Sequence, residues 1–178
     1  MVFRHGACLC GDVVVDALAM TRYQKEITVA AQKFALDFRL VEAIVLTESA
    51  GNTDAFRFEP NFYNRYIKPH KLYLGQNPRR VSSSYGLMQI MLPVAHERGY
   101  PQTDPPEHLF VPEIGLHYGC KHLRLLTDWA DEFAVSATQK RDAVLAAYNG
   151  GRGGNKPTDV PLRNAAYVRK VLAYLANI

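Results

Sequence analysis

A single carboxylate closes an apolar run in the segment "AIVLTESAGN", residues 43–52. On a helix, Glu48 shares a face with Val41, Ile44 and Val45, because residues three, four and seven positions apart are neighbours. A carboxyl group held against apolar side chains resists ionisation, so we expect the pKa of Glu48 to be raised. Such an acid keeps its proton at neutral pH and can donate it to a leaving oxygen. The alternative is a solvated glutamate at a helix C-terminus.

Other residue types that could do chemistry lack the spacing that it requires. The six histidines include no pair four positions apart, so no metal site is predicted. The glycines of "NGGRGG" lack the Lys-Ser or Lys-Thr of a phosphate-binding loop, and the end of a helix explains them better. Ser82, Ser83 and Ser84 lack the Gly-x-Ser-x-Gly turn of a serine nucleophile. We therefore expect neither a metal nor a cofactor.

Composition indicates one folded domain. The chain has 178 residues, of which 48% are hydrophobic and 21% charged, as in soluble globular proteins. A net charge of +4 favours an anionic partner such as an acidic polymer, an acidic membrane or nucleic acid. Three cysteines cannot form a full disulfide framework, and Cys120 has the spacing of a small core residue.

No segment has the pattern of a signal peptide or a membrane span. The first twenty residues include Arg4, His5, Asp12 and Asp16 and contain no continuous apolar stretch. No later stretch approaches the roughly 20 apolar residues that a span needs. We expect a soluble protein without stable membrane insertion. Residues 1–24 are interpreted as an N-terminal extension, in which "DVVVDALAM" fits either a strand or a helical turn.

Helical periodicity dominates the rest of the chain and predicts a mainly α fold. The predicted helices cover residues 22–37, a segment from near Leu40, the short "LPVAHERGY", and residues 111–130, 141–148 and 162–175. The Pro- and Gly-punctuated text of residues 50–85 is predicted to be irregular, with one helical turn at 62–66. Long segments of this kind are usually functional, so we expect it to border a cleft.

Aromatic side chains gather in that irregular segment, at Phe56, Phe58, Phe62, Tyr63 and Tyr66. Such a density is typical of either a second core patch or a stacking surface for a ligand. Packing is the preferred interpretation.

Four blocks of sequence occur in a fixed order along the chain. "ESAGN" is followed by "YGLMQIMLP" at 85–93, by "AAYNGG" at 146–151 and by "YVRKVLAY" at 167–174. This ordered set resembles the catalytic domain of the soluble lytic transglycosylases, whose fold is lysozyme-like and related to goose-type lysozyme. The resemblance covers roughly residues 25–178 and implies a single catalytic domain over that range, acting on the glycan strands of peptidoglycan.

The resemblance implies a mechanism with one acid. Glu48 matches the family's single catalytic acid, and Ser49 matches the polar residue that follows it. In the family, that acid protonates the β-1,4 bond between N-acetylmuramic acid and N-acetylglucosamine, assisted by the substrate's own 2-acetamido group. The resulting carboxylate then acts as base, and the sugar's 6-hydroxyl closes a 1,6-anhydro ring.

The resemblance also implies which residues hold the glycan. Gln89 and Met91 match motif residues that contact the sugars. Tyr148 and Asn149 match the pair that lines the cleft opposite the acid, and Tyr167 matches the aromatic residue of the last motif.

The sequence departs from the family's pattern at two places. Members often carry a carboxylate a few residues before the final Tyr-Val, where this chain has Arg163 and Asn164. "FRFEP" replaces the usual short stretch after the first motif, and its Glu59 could be a second cleft acid that contacts the substrate. A pair of Glu48 with Glu59 or Asp54 would suit a water-using, inverting hydrolase, as in goose-type lysozyme. Otherwise we expect Glu59 to bind a loop backbone or an arginine.

Three functions therefore stay open at this stage. The preferred one is a lytic transglycosylase, followed by a hydrolytic muramidase and by a catalytically idle glycan-binding module. "RFEPNFYNRY" is similar to phage-encoded versions of the domain, and no wall-binding domain follows residue 178. The preferred prediction is therefore a monomeric, bacteriolytic endolysin that does not bind nucleic acid. It would be made in the host cytoplasm and released to the wall during phage lysis. A virion component and an enzyme of a secretion or conjugation system stay open as alternatives.

Overall fold

A computed structural model describes residues 22–178. Residues 1–21, and with them Cys8, Cys10 and the ambiguous "DVVVDALAM", lie outside the described residues. The helices are α1 (Gln24–Lys33), α2 (Phe38–Ser49), α3 (Pro60–Phe62), α4 (Pro78–Val81), α5 (Leu92–Glu97), α6 (Pro112–Asp131), α7 (Ala137–Gly150) and α8 (Ala165–Leu175). A π-helical turn covers Tyr63–Ile67, and 3-10 turns cover Lys71–Tyr73 and Pro106–Phe110. The prediction of a mainly α fold is confirmed.

Helix α2 carries the apolar run that precedes Glu48. It begins after Asp37, whose carboxylate accepts a hydrogen bond from the backbone N–H of Arg39. It ends at Ser49, because the next residue, Ala50, has a left-handed φ of 52°. Residues 41–46 are all buried. Because α2 packs against α1 and α8, its last turn lies between other elements and not at an open helix end.

The predicted bounds of three helices need correction. Helix α1 ends at Lys33 because Ala35 takes a left-handed φ of 51°, so Ala35 is exposed and does not extend the apolar face. Helix α7 begins earlier than predicted, since Ser136 and Gln139 form a capping box. Helix α8 begins at Ala165, after a non-helical Asn164.

The segment predicted to be irregular contains part of a small antiparallel sheet. Its strands are β1 (Phe56–Phe58), β2 (Ser83–Tyr85) and β3 (Ile90–Met91), in the order β1-β2-β3. Strands of two or three residues are too short to show an alternating pattern, which is why the sequence did not reveal them. The register places Arg57 opposite Ser84 and Ser84 opposite Met91.

Two clusters of buried apolar side chains hold the fold together. The larger one joins α1, α2, α6, α7 and α8 through residues such as Ile44, Leu123 and Leu145. The smaller one lies under the sheet and includes Tyr85 and Leu109. Cys120 is buried in the larger cluster, as predicted.

The aromatic residues of the cleft segment differ in their burial. Phe62 and Tyr63 are partly buried and pack against the smaller cluster. Tyr66 is 51% exposed, yet its ring centroid lies 5.0 Å from that of Phe62. Packing alone therefore does not account for this group.

Within residues 22–178, no helix has the length and apolar content that crossing a bilayer requires.

Candidate active site

A groove of about 510 Å³ runs along the face of the sheet and past the ends of α2 and α7. Six residues named from the sequence take part in its lining: Glu48, Glu59, Gln89, Met91, Tyr148 and Asn149. Segments that are far apart in the chain are thus brought together in one groove that contains two carboxylic acids.

Glu48 lies in the last turn of α2 and is mostly buried. Burial raises the pKa of its carboxyl group, while the hydrogen bond from Tyr167 and the charges of Arg57 and Lys170 offset part of that increase. The net direction is upward, as the apolar run before Glu48 predicts.

Tyr167 reaches Glu48 from helix α8, which packs along α2. Its hydroxyl donates a hydrogen bond of 2.7 Å to Glu48 Oε1. Burial raises the pKa of the phenol far above its ordinary value, so the hydroxyl keeps its proton and stays a donor. One turn later, the Lys170 ammonium donates to the backbone oxygen of Thr47 at 3.1 Å, which fastens α8 to the end of α2.

The sheet presents one row of side chains to the groove. Arg57, Ser84 and Met91 are in register on neighbouring strands, so their side chains point to the same face, and all three line the groove. Arg57 Nε donates to Glu59 Oε1 at 2.5 Å, and the Arg57 side chain is 59% exposed. Glu59 is therefore paired with an arginine, one of the two arrangements predicted for it.

Gln89 links the sheet to the loop after α2. Its side-chain NH2 donates to the backbone oxygens of Ala55 and Gly86, at 2.9 and 3.0 Å. Its backbone has a positive φ of 46°, which those two bonds help to hold. Within residues 22–178 the side-chain carbonyl oxygen of Gln89 accepts no hydrogen bond, so that oxygen is available to a ligand in the groove.

Tyr148 forms part of the groove wall on α7. Its hydroxyl donates to the backbone oxygen of Met88 at 2.8 Å, so the ring and not the hydroxyl faces a ligand. The ring centroid of His122 lies 5.5 Å away, and burial lowers the pKa of His122 to about 4. His122 is neutral at physiological pH, and its Nδ1 accepts from Arg98 at 3.1 Å.

Three residues named from the sequence are not part of the groove lining: Ser49, Asp54 and Tyr167, of which Tyr167 donates its hydrogen bond to Glu48 from outside that lining. Ser49 is buried, and its hydroxyl lies 2.9 Å from the backbone oxygen of Leu87 and 3.1 Å from that of Val45. It ties the acid-bearing turn to the next motif, which places it behind the groove wall. Asp54, considered as an alternative second acid, is exposed and lies outside the groove lining.

Several lining residues were not identified from the sequence. Arg57, Ser84 and His122 are among the residues of this kind. Phe62 and Tyr66 also line the groove, and the sequence named them only within an aromatic group whose preferred role was packing. The pairing of their strands is what places Arg57 and Ser84 in the groove. This pairing depends on long-range register, so it cannot be read from the sequence of one short strand. Among residues 22–178, no three His, Cys, Asp or Glu side chains are grouped so as to hold a metal ion.

Known proteins share both the sequence pattern and the fold. The family described as "Transglycosylase SLT domain" matches residues 25–159. The membrane-bound lytic murein transglycosylase C of Edwardsiella ictaluri is 28% identical over 137 residues, which cover 74% of this chain and 32% of that protein. The protein of the same name from Cronobacter sakazakii is 27% identical over 129 residues, or 70% of this chain and 29% of its own length. The chain thus spans about a third of these relatives.

Two solved structures have the same fold. The 70 kDa soluble lytic transglycosylase of Escherichia coli matches with a TM-score of 0.60 and 22% identity, over 87% of this chain and 24% of that one. An inactive mutant of the lytic transglycosylase Slt from Pseudomonas aeruginosa matches with a TM-score of 0.59 and 20% identity, over 86% of this chain and 23% of that one. With the family match over more than half of its length, this lysozyme-like chain belongs to the transglycosylase SLT domain family.

Proposed function

We propose that the chain is a peptidoglycan lytic transglycosylase that cleaves the β-1,4 bond between N-acetylmuramic acid and N-acetylglucosamine. The observation that carries this proposal is the difference between the two acids that line the groove in the described residues. Glu48 has a raised pKa and bonds to a neutral phenol, whereas Glu59 is paired with Arg57. Only Glu48 is suited to hold a proton for a leaving oxygen.

The reaction needs one acid that changes roles. Protonated Glu48 gives its proton to the glycosidic oxygen as the bond from C1 of the muramic acid to that oxygen breaks. The carbonyl oxygen of the substrate's 2-acetamido group stabilises the electron-poor C1. The Glu48 carboxylate then takes the proton of the 6-hydroxyl, whose oxygen bonds to C1 and closes the 1,6-anhydro ring. The proton returns to Glu48, and no water is consumed.

Tyr167 supports both states of Glu48. Its hydroxyl is 2.7 Å from Glu48 Oε1, which fixes the rotation of the carboxyl group. When Glu48 has lost its proton, the same hydrogen bond becomes charge-assisted and stronger. Tyr167 thus limits the rise in pKa that burial causes, and Glu48 can serve first as acid and then as base.

The rest of the groove offers the contacts that a glycan needs. Gln89 and Asn149 present amide groups, and each hydrogen bond to a sugar would contribute about 0.5–1.5 kcal/mol net. Met91 and Tyr148 present apolar faces for the undersides of sugar rings. The exposed ring of Tyr66 adds to this surface.

A hydrolytic muramidase is the second candidate. It is favoured by one observation, that Glu59 lies in the same groove as Glu48. An inverting hydrolase would use a Glu59 carboxylate to activate water. The pairing of Glu59 with Arg57 opposes this role, since a general base must be free to accept a proton.

The chemistry of the product ends tests the proposal. Purified peptidoglycan sacculi are digested with the wild type, Glu48→Gln and Glu59→Gln, and the released fragments are analysed by mass spectrometry. We expect 1,6-anhydromuramic ends from the wild type, no cleavage by Glu48→Gln, and near wild-type cleavage by Glu59→Gln. Reducing ends, together with inactivity of a folded Glu59→Gln, would establish the hydrolase instead. No cleavage by the folded wild type would indicate a glycan-binding module.

The substrate is part of this proposal, whereas the phage context is not. Peptidoglycan glycan strands are its proposed substrate and partner. Release during phage lysis, bacteriolytic action and a monomeric state stay predictions from the sequence, and so does the catalytic domain boundary at residue 25.

A further inference from the structure

Three asparagines form a chain of hydrogen bonds that ends at the groove wall. Asn155 Nδ2 lies 3.1 Å from Asn164 Oδ1, and Asn164 Nδ2 lies 2.8 Å from Asn149 Oδ1. Asn155 is completely buried, whereas Asn149 lines the groove. The chain therefore connects a fixed interior amide to a side chain that a ligand can reach.

The backbone fixes the orientation of the first amide in this chain. Asn155 Oδ1 accepts from the backbone N–H of Asn164 at 3.0 Å, and Asn155 Nδ2 donates to the backbone oxygen of Gly151 at 2.8 Å. A backbone N–H can only donate and a backbone carbonyl can only accept. Exchanging the nitrogen and oxygen of Asn155 would break both bonds, so its orientation follows from the backbone alone.

This orientation determines the next two amides in turn. Because Asn155 presents its NH2 group to Asn164, the Asn164 side chain must turn its oxygen toward Asn155. Its NH2 group then faces Asn149, which must turn its own oxygen away from the groove. Asn149 Oδ1 is thus engaged by Asn164, whereas the Asn149 NH2 group makes no hydrogen bond within residues 22–178 and can donate to a ligand.

The Asn164 amide packs closely against Gly150. A Cβ atom added at Gly150 would lie 2.5 Å from Asn164 Nδ2, so the Asn164 amide rests directly on the Gly150 backbone. The glycines of "NGGRGG" thus do more than end a helix, since the first of them, Gly150, leaves the space that the Asn164 amide occupies.

We propose that Asn164 is a positioning residue that makes the groove wall at Asn149 a hydrogen-bond donor. The wall then selects a ligand oxygen, such as the carbonyl oxygen of an acetamido group, over a ligand N–H or O–H donor. Asn164 itself does not touch the ligand. This inference rests on the proposed function, because it assumes that the groove binds N-acetylated glycan.

Substitution by aspartate reverses the polarity while keeping the shape. In Asn164→Asp, one carboxylate oxygen still accepts from Asn155, and the backbone N–H of residue 164 still donates. The other oxygen replaces the NH2 group, so Asn149 must turn its own NH2 toward it and present its oxygen to the groove. Asn164→Ala removes the link to Asn149 without reversing it, and Asn149→Asp places an acceptor in the groove directly.

The test measures binding of chitotetraose, an uncharged N-acetylated oligosaccharide, by isothermal titration calorimetry. All variants carry Glu48→Gln, so that no cleavage occurs and a new charge at residue 164 cannot alter the ionisation of Glu48. We expect Asn164→Asp and Asn149→Asp each to weaken binding about tenfold, and Asn164→Ala about two- to threefold. A merely structural role predicts the opposite order, since aspartate fills the site better than alanine.

Each outcome decides the matter. Equal binding by the parent and Asn164→Asp, or weaker binding by Asn164→Ala than by Asn164→Asp, overturns the polarity inference alone. Failure of the parent Glu48→Gln protein to bind chitotetraose overturns the inference and counts against the proposed glycan groove as well. Thermal unfolding monitors the fold of every variant. If Asn164→Asp does not fold, Asn149→Asp provides the test in its place. Binding of chitotetraose by Asn149→Asp that is as strong as binding by the parent then overturns the inference.

Discussion

Replacing Tyr167 by phenylalanine removes the hydrogen bond to the acid and keeps the aromatic ring. The phenol donates to Glu48 Oε1 at 2.7 Å, and this bond favours the ionised carboxylate over the protonated acid. Without this hydrogen bond, less of the rise in the pKa of Glu48 that burial causes is offset. The pKa of Glu48 should therefore rise further above its ordinary value.

The loss of this bond should have two kinetic effects: a lower kcat/KM at acidic pH, and a shift of the alkaline limb of the pH profile to higher pH. A hydrogen bond to a charged group contributes about 1.5–3 kcal/mol, and part of that stabilises the carboxylate that forms as Glu48 gives up its proton. Since 1.36 kcal/mol is a factor of ten in rate, we expect kcat/KM at acidic pH to fall about 10- to 100-fold. The general acid works only while protonated, so activity is lost as pH rises through its pKa. A higher pKa therefore moves the alkaline limb to higher pH.

The assay is the pH profile of kcat/KM for the release of soluble fragments from peptidoglycan. Tyr174→Phe serves as the matched control, because Tyr174 is a partly buried tyrosine on the same helix without a hydrogen bond to Glu48. We expect its profile to equal that of the wild type. A limb in Tyr167→Phe that stays in place or moves to lower pH would refute the reasoning, as would an unchanged rate at acidic pH.

The other predictions concern stability and charge. Gly119→Ala should lower the free energy of unfolding, measured by urea denaturation, by about 1–3 kcal/mol. The reason is that the new Cβ would lie 2.8 Å from the Cβ of buried Met88. Gly153→Ala, with open space around it, is the control. Glu48→Gln should gain thermal stability relative to the wild type as pH rises above 4.5. The reason is that the folded wild type holds the Glu48 proton more tightly than the unfolded chain does, so the wild type loses stability as pH rises and that proton leaves. A difference in melting temperature between the two proteins that is independent of pH would contradict this. Arg57→Gln should move the alkaline limb to higher pH, and added salt should reduce the difference because Arg57 is 59% exposed.

The helices could be predicted because their signals are local. Apolar residues of α1, α2 and α6 recur at spacings of three and four, and each helix was found within a few residues of its bounds. The errors lie where conformation at a single residue decides. Nothing in the sequence shows that Ala35 adopts a left-handed φ, and that residue is what stops α1 from continuing.

The site could be predicted only as far as its motifs extend. Glu48, Gln89, Met91 and Tyr148 come from motif blocks, and the structure brings all four to one groove. Arg57 escaped notice because its place in the groove follows from strand register.

The part played by Asn164 escaped notice for a similar reason. The sequence shows only that Arg163 and Asn164 lie in the neighbourhood where similar domains often carry an acid. Its link to Asn149 depends on a loop that brings residues 149, 155 and 164 into one hydrogen-bond chain. Spacing along the chain does not encode that contact.

The central claim is that Glu48 holds a proton in the groove at pH values where an ordinary glutamate has lost it. Titration of the side-chain carboxyl carbon by 13C NMR measures this directly, with the Glu48→Gln variant assigning the signal by its disappearance. We expect a titration midpoint above the ordinary value for the wild type, and a further rise in Tyr167→Phe. A Glu48 carboxyl that titrates at or below the ordinary value would contradict the account.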